Sequence, residues 1–263
     1  MDPHLDAARI VLLGAAAFVA GGINAVAGGG SLISFPALLL AGYPALTANV
    51  TNSVALLPGY LGGSVGYRRE LRGQRPRIVR LGLISAAGAV LGAFLLLAGP
   101  ASVFQRIVPW LILGACALLV AQPWIARRVA EREAARAAAG ASPRRFGEIG
   151  AGLAAAQLVS AVYGAYFGAG VGVIMLAVLG IFLVDSLQRI NALKGLLSLI
   201  ITVVAVVYFI AAGRVAWLPV AIMAPIAYAG GLLGVAVARR LDDRVLRIAV
   251  VCFGVAVGVR LLF

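Results

Sequence analysis

The stretch Gly21-Gly22-Ile23-Asn24-Ala25-Val26-Ala27-Gly28-Gly29-Gly30-Ser31 decides how this chain is built, because it ends one apolar run, 8–27, and opens a much shorter one, 31–41. A helix needs roughly 20 apolar residues to cross the ~30 Å hydrocarbon core of a bilayer, so 31–41 reads as a half-length element entered through a glycine break. The same order of events recurs at Gly168-Ala169-Gly170-Val171-Gly172, which follows the run 147–167 and opens the short run 171–184. Longer apolar runs lie at 45–66, 80–98, 103–125, 187–211, 215–237 and 245–263. Runs of this length without period-2 alternation predict an all-α polytopic membrane protein, about eight full spans plus two short elements, and not a β-barrel.

Composition agrees. The 263 residues are 63% hydrophobic and 12% charged, with a mean hydropathy of +1.05, whereas a soluble domain is about one quarter charged. A net charge of +13 raises the question of a nucleic-acid partner, but the arginines fall in short segments between apolar runs, where the positive-inside rule puts them. No nucleic acid is expected. The first run is as long as a signal peptide, yet Asp2 and Asp6 precede it and a glycine cluster follows, so it reads as a retained helix. Cys116 and Cys252 sit in apolar runs as small hydrophobes, and the lone histidine, His4, lies in the polar N-terminal tail. No metal site, cofactor or His proton relay is expected.

Orientation follows from the arginines. Arg68, Arg69, Arg72, Arg75, Arg77 and Arg80 form one cluster, Arg127, Arg128, Arg132, Arg136, Arg144 and Arg145 a second, and Arg239, Arg240, Arg244 and Arg247 a third. All three come out cytoplasmic, with both termini extracytoplasmic, in a multi-pass protein of a bacterial-type inner membrane. The Ala/Arg-rich segment 126–146 is the one candidate linker and divides the chain into 1–125 and 147–263. Each half reads long helix, glycine break, short helix, long helix and two further spans. The first starts outside and the second inside, which makes them inverted repeats with a site expected where they meet near mid-membrane.

The polar residues inside the apolar runs are few and patterned. All four asparagines, Asn24, Asn49, Asn52 and Asn191, lie in the break regions or the long helices that follow, and Lys194 is the only lysine. Asn49-Val50-Thr51-Asn52 follows Gly28 by 21 residues, and Asn191-Ala192-Leu193-Lys194 follows Gly168 by 23. Residues three apart share a helix face, so each motif offers two polar heads to one cavity, extended by Ser53 and Ser198. A lysine at this depth costs roughly 2.5–3.5 kcal/mol on insertion scales, and apart from Glu148 at the very start of 147–167 no Asp or Glu lies within an apolar run; the substrate is the expected partner. The short helices add positive N-terminal ends at Ser31 and Val171, with backbone N–H groups bared by Gly28, Gly29, Gly30, Gly168, Gly170 and Gly172.

Plainer readings stand beside these. The glycines also serve close helix packing, the asparagines interhelical hydrogen bonding, and Lys194 also reaches toward the interface. Asp185 and Arg189 read as an interfacial ion pair, and Tyr60, Tyr67, Tyr163, Tyr166 and Tyr208 as packing or belt residues.

With its glycine break, then Phe35-Pro36, Gly42-Tyr43-Pro44 and Ala48-Asn49-Val50-Thr51-Asn52-Ser53, and a second copy at 160–198, the chain resembles the sulfite exporter TauE/SafE family over nearly its whole length. The second copy departs by having Ala177 in place of Pro36 and no counterpart of Gly42 and Pro44. The resemblance implies export of sulfur-containing anions such as sulfite, sulfoacetate and other organosulfonates. The resulting expectation is an alternating-access carrier of such an anion, not an enzyme, with membrane lipid as its surroundings and homo-oligomerisation left open. The alternative is an anion channel or a facilitator for another small anion or carboxylate.

Overall fold

The computed structural model describes residues 6–26, 28–138, 149–183, 185–238 and 243–262. Within them the chain forms ten helices: α1 (Ala7–Val26), α2 (Ser31–Leu40), α3 (Ala45–Gly66), α4 (Arg75–Ala98), α5 (Ala101–Ala138), α6 (Ala151–Tyr166), α7 (Val171–Phe182), α8 (Leu187–Ala211), α9 (Trp217–Ala238) and α10 (Asp243–Arg260). His4, Asp2, Ala27, Arg144, Arg145, Arg239 and Arg240 lie outside the described residues, as does 139–146 of the expected linker.

Local chemistry sets the helix ends. Pro44, with φ −57° and ψ 146°, fixes the entry to α3 after the turn at Gly42, whose φ is 96°. Ser186 caps α8 by accepting from the Arg189 N–H at 3.4 Å. Pro76 in the first turn of α4 lets the helix start at Arg75, ahead of the apolar run at 80. The largest departure from expectation is α5. Its 38 residues, about 57 Å at 1.5 Å per residue, carry the helix to Ala138 through most of the segment read as a linker. Ala, Arg and Glu are strong helix formers, so low hydropathy there does not mean loop.

Among the described residues four stretches are long and apolar enough to cross a membrane: Ala7–Asn24, Arg75–Ala98, Ala101–Ala121 and Gln188–Ala211. Ser31–Leu40, Val171–Phe182, Trp217–Leu233 and Val251–Arg260 are shorter apolar helices. The outward face is itself apolar: Val11, Leu83, Trp110, Val159 and Val207 are each more than three-fifths exposed. Such a surface suits lipid and not water. This is a multi-pass helical membrane protein.

The centre of the bundle is α3 packed on α8. Around it α1 packs on α9 and α6 on α4; α9 also lies on α3, and α4 on α8. At the flank α5 pairs with α10, α5 touching the short helix α7 and α10 the short helix α2. Glycine makes the close crossings. A Cβ on Gly21 or Gly230 would come within 2.2 and 2.1 Å of the carbonyl oxygens of Ala227 and Phe18, between α1 and α9. One on Gly92 would meet the Val162 oxygen at 2.2 Å, between α4 and α6. These backbones touch, as packing in lipid favours.

Candidate functional site

The two glycine breaks meet. A Cβ on Gly28 would lie 2.6 Å from the Gly172 Cα, and one on Gly172 would lie 2.6 Å from the Gly28 Cα, so backbone rests on backbone. Gly28 and Gly168 occupy equivalent places, each two residues ahead of the glycine that precedes a short helix, with φ of 78° and 81°. Only glycine takes this left-handed conformation at little cost.

Each break is fastened to the helix before it. In the first, the Asn24 side-chain oxygen accepts from the Gly30 N–H at 2.8 Å. In the second, the Tyr163 hydroxyl donates to the Ala169 carbonyl at 2.7 Å. Aromatic rings back the second break: Phe167 makes edge contacts with Phe35 of α2 at 5.4 Å and Tyr163 at 6.4 Å, and Phe104 of α5 meets Tyr166 at 5.7 Å.

The polar pairs ride on the central helices in matching register. Asn49 and Asn52 are the fifth and eighth residues after the Pro44 cap of α3; Asn191 and Lys194 are the fifth and eighth after the Ser186 cap of α8. Asn49 is buried, and its Nδ2 donates to the Tyr166 carbonyl at 3.0 Å, tying α3 to the end of α6 beside the second break. Asn52, one turn further along the same face, is 2% exposed, and its Oδ1 has no hydrogen-bond partner. Lys194 is 2% exposed, and Asn191 is half-buried. Lys194 already has an interaction within the protein.

Other expected site residues have structural partners. The Asn24 oxygen is engaged by Gly30. The Ser53 hydroxyl turns back onto the Asn49 carbonyl at 3.0 Å, and Ser198 contacts the Met175 sulfur at 3.5 Å. Ser31, Gly29, Gly30, Gly170 and Gly172 are buried in or beside the breaks, and Gly168 is half-buried.

Four participants were not singled out by sequence. Tyr163, read as packing, braces the second break. Thr51 accepts from the Ala216 N–H at 3.0 Å, joining α3 to the start of α9. Gln157 of α6 donates to Ser85 of α4 at 2.8 Å inside an otherwise apolar interface. At the arginine-rich end, Arg77 of α4 joins the expected Asp185–Arg189 pair: Asp185 accepts from Arg77 at 2.5 Å and from Arg189 at 2.8 Å. Arg189 also donates to the Arg72 carbonyl at 3.1 Å, and Gln74 to the Arg189 carbonyl at 3.1 Å. Apart from the Tyr163 brace and the Asp185–Arg189 pair, these contacts join residues distant in sequence.

Among the described residues no group of three or more His, Cys, Asp or Glu side chains is placed to hold a metal ion. Comparison with known proteins finds that the model of a family described as "Sulfite exporter TauE/SafE" matches residues 13–261. A protein of Sinorhizobium sp named "Probable membrane transporter protein ORF9" is 39% identical over 104 residues, 40% of each chain. A "Probable membrane transporter protein" of Haemophilus influenzae is 36% identical over 114 residues, 43% of this chain and 44% of its own. Each alignment therefore spans about two fifths of the relative's length. No solved structure matches.

Proposed function

The chain belongs to the sulfite exporter TauE/SafE family, and from that membership and the site's geometry we propose that it carries a small sulfur-containing anion, sulfite or an organosulfonate such as sulfoacetate, out across the cytoplasmic membrane. The observation that carries this reading is the matching register of Asn49/Asn52 on α3 and Asn191/Lys194 on α8, two helices packed on each other beside the touching breaks. Carboxamide N–H groups and an ammonium are donors to oxyanions, and half-helices add their positive ends.

The helix packing supports two inverted repeats. Exchanging α1–α5 with α6–α10 turns the α1–α9 crossing into α6–α4, α3–α9 into α8–α4, and α5–α7 into α10–α2, all of which occur. The tie between the loop holding Arg72 and Gln74 and the start of α8 puts those segments at one end of the bundle, which fits the cytoplasmic side assigned to the arginines. One half then rocks against the other about the α3–α8 site, and an inside-negative potential favours outward movement of an anion by about 2.3 kcal/mol per charge per 100 mV.

The test is calorimetric binding of sulfite, sulfoacetate, taurine and sulfate to the purified protein, with Lys194→Met and Asn191→Ala beside it. Binding of one of these anions that both substitutions weaken at least tenfold is expected. Unchanged binding in folded variants removes these residues from the site, and conduction without saturation in proteoliposomes favours a channel.

A further inference from the structure

The equivalent peptide in each break is Gly29–Gly30 in the first and Ala169–Gly170 in the second, because α2 begins at Ser31 and α7 at Val171. The two are held facing opposite ways. Gly30 has φ −60° and ψ −30°, whereas Gly170 has φ 76° and ψ −1°. That change of sign in φ is the signature of a peptide plane turned over, as between type I and type II turns. The hydrogen bonds agree: Asn24 takes the N–H of its peptide, and Tyr163 takes the C=O of its own. There is no cis peptide among the described residues, and in a trans peptide the N–H and C=O point in opposite directions. In the second break the Gly170 N–H is therefore turned away from α6.

That N–H is buried, and among the described residues it has no hydrogen-bond acceptor. Buried amides without partners are rare. Asn49 of α3 bonds Tyr166 just ahead of this break, and Asn52, 2% exposed, lies one turn along the same helix face.

We infer that Tyr163 is a positioning residue for the anion site, and that the site is lopsided: the second break supplies the Gly170 N–H to the anion, while in the first the matching N–H of Gly30 is taken up by Asn24. This rests on the anion-transport reading above. Flanked by two glycines with φ of 81° and 76°, the Ala169–Gly170 peptide has little side-chain bulk to hold its orientation. The phenol hydroxyl selects the one that presents the N–H. Turned over, the same peptide would present a carbonyl oxygen to an anion, a repulsive contact.

The experiment is saturable flux of sulfite and of sulfoacetate in proteoliposomes, with folding followed by thermal unfolding. Tyr163→Phe keeps the ring against Phe167 and removes the hydroxyl; KM is expected to rise about tenfold with the maximal rate within about twofold. Gly170→Ala is the second variant, since an L side chain resists φ 76° and drives the peptide toward the other orientation; it gives the same rise in KM. A KM unchanged in both folded Tyr163→Phe and Gly170→Ala overturns the inference and leaves the transport reading standing. A wild-type protein that neither binds nor moves either anion overturns both.

Discussion

Asn49 and Asn52 sit three residues apart on one face of α3 and do opposite things for the fold. The Asn49 carboxamide makes a buried hydrogen bond to Tyr166, so Asn49→Ala leaves a buried carbonyl short of a donor and costs about 1–3 kcal/mol. The Asn52 oxygen has no partner, and removing a buried unsatisfied acceptor is neutral or stabilising. Thermal unfolding is expected to show a lowered midpoint for Asn49→Ala and an unchanged or raised one for Asn52→Ala, while only wild-type Asn52 supports tight anion binding. An Asn52→Ala protein as destabilised as Asn49→Ala would mark Asn52 as packing. This exchange of stability for function is common at binding sites. These residues were legible in the sequence because polar side chains are costly in apolar runs and their spacing repeats. Tyr163 and Arg77 were not, because tyrosine and arginine near helix ends are ordinary, while Gln157, a polar residue in mid-run, carried the same signal without a repeated spacing to mark it. Their roles depend on Ala169, Ser85 and Asp185, and for the last two the partner is 72 and 108 residues away.

Among the elements, the two breaks carry the sharpest constraint. Gly172 has an ordinary helical position, and a lone sequence gives no reason for a glycine there; the reason is Gly28, whose Cα a new Cβ would meet at 2.6 Å. Backbone cannot swing aside as a side chain can, so Gly172→Ala is expected to cost about 1–3 kcal/mol and to push α7 off the first break. Gly114, whose Cβ position is open, is the control, and Gly114→Ala leaves the unfolding temperature unchanged or slightly higher. Equal effects from the two substitutions would mean that the breaks do not bear on each other. Both short helices were legible as elements from their length and their glycine borders. The extent of α5 was not: hydropathy marks where lipid ends, and helix propensity carries the chain onward. Trp124 and Arg128, stacked 5.1 Å apart, mark that transition on its surface.

For the molecule as a whole, what matters is what joins one half to the other. The breaks meet backbone to backbone and single hydrogen bonds (Asn49–Tyr166, Thr51–Ala216, Ser85–Gln157) cross between the halves, whereas the arginine-rich end is tied by charge. Asp185, at the junction of α7 and α8, receives both Arg77 from the first half and Arg189 from its own, with side chains 14%, 7% and 28% exposed. The Arg77 pair is nearly buried, and taking away one member of such a pair is strongly destabilising, because the remaining charge keeps its desolvation cost. The Arg189 pair is more exposed and contributes little. Asp185→Asn, which keeps the shape and removes the charge, is therefore expected to cost about 2–4 kcal/mol, and a double-mutant cycle with Arg77→Met is expected to give a coupling of about 1–3 kcal/mol. The same substitution frees the start of α8, where Asn191 lies five residues beyond the Ser186 cap. In a Cys116→Ala/Cys252→Ala background, a cysteine at position 191 is expected to react several-fold faster with a membrane-impermeant thiol reagent once Asp185 is neutralised. If the unfolding temperature falls while labelling stays constant, the charge cluster braces the two halves without closing the path between them. If both change, loosening this end opens a route to the helix face that carries Asn191 and Lys194, as movement of one half against the other requires.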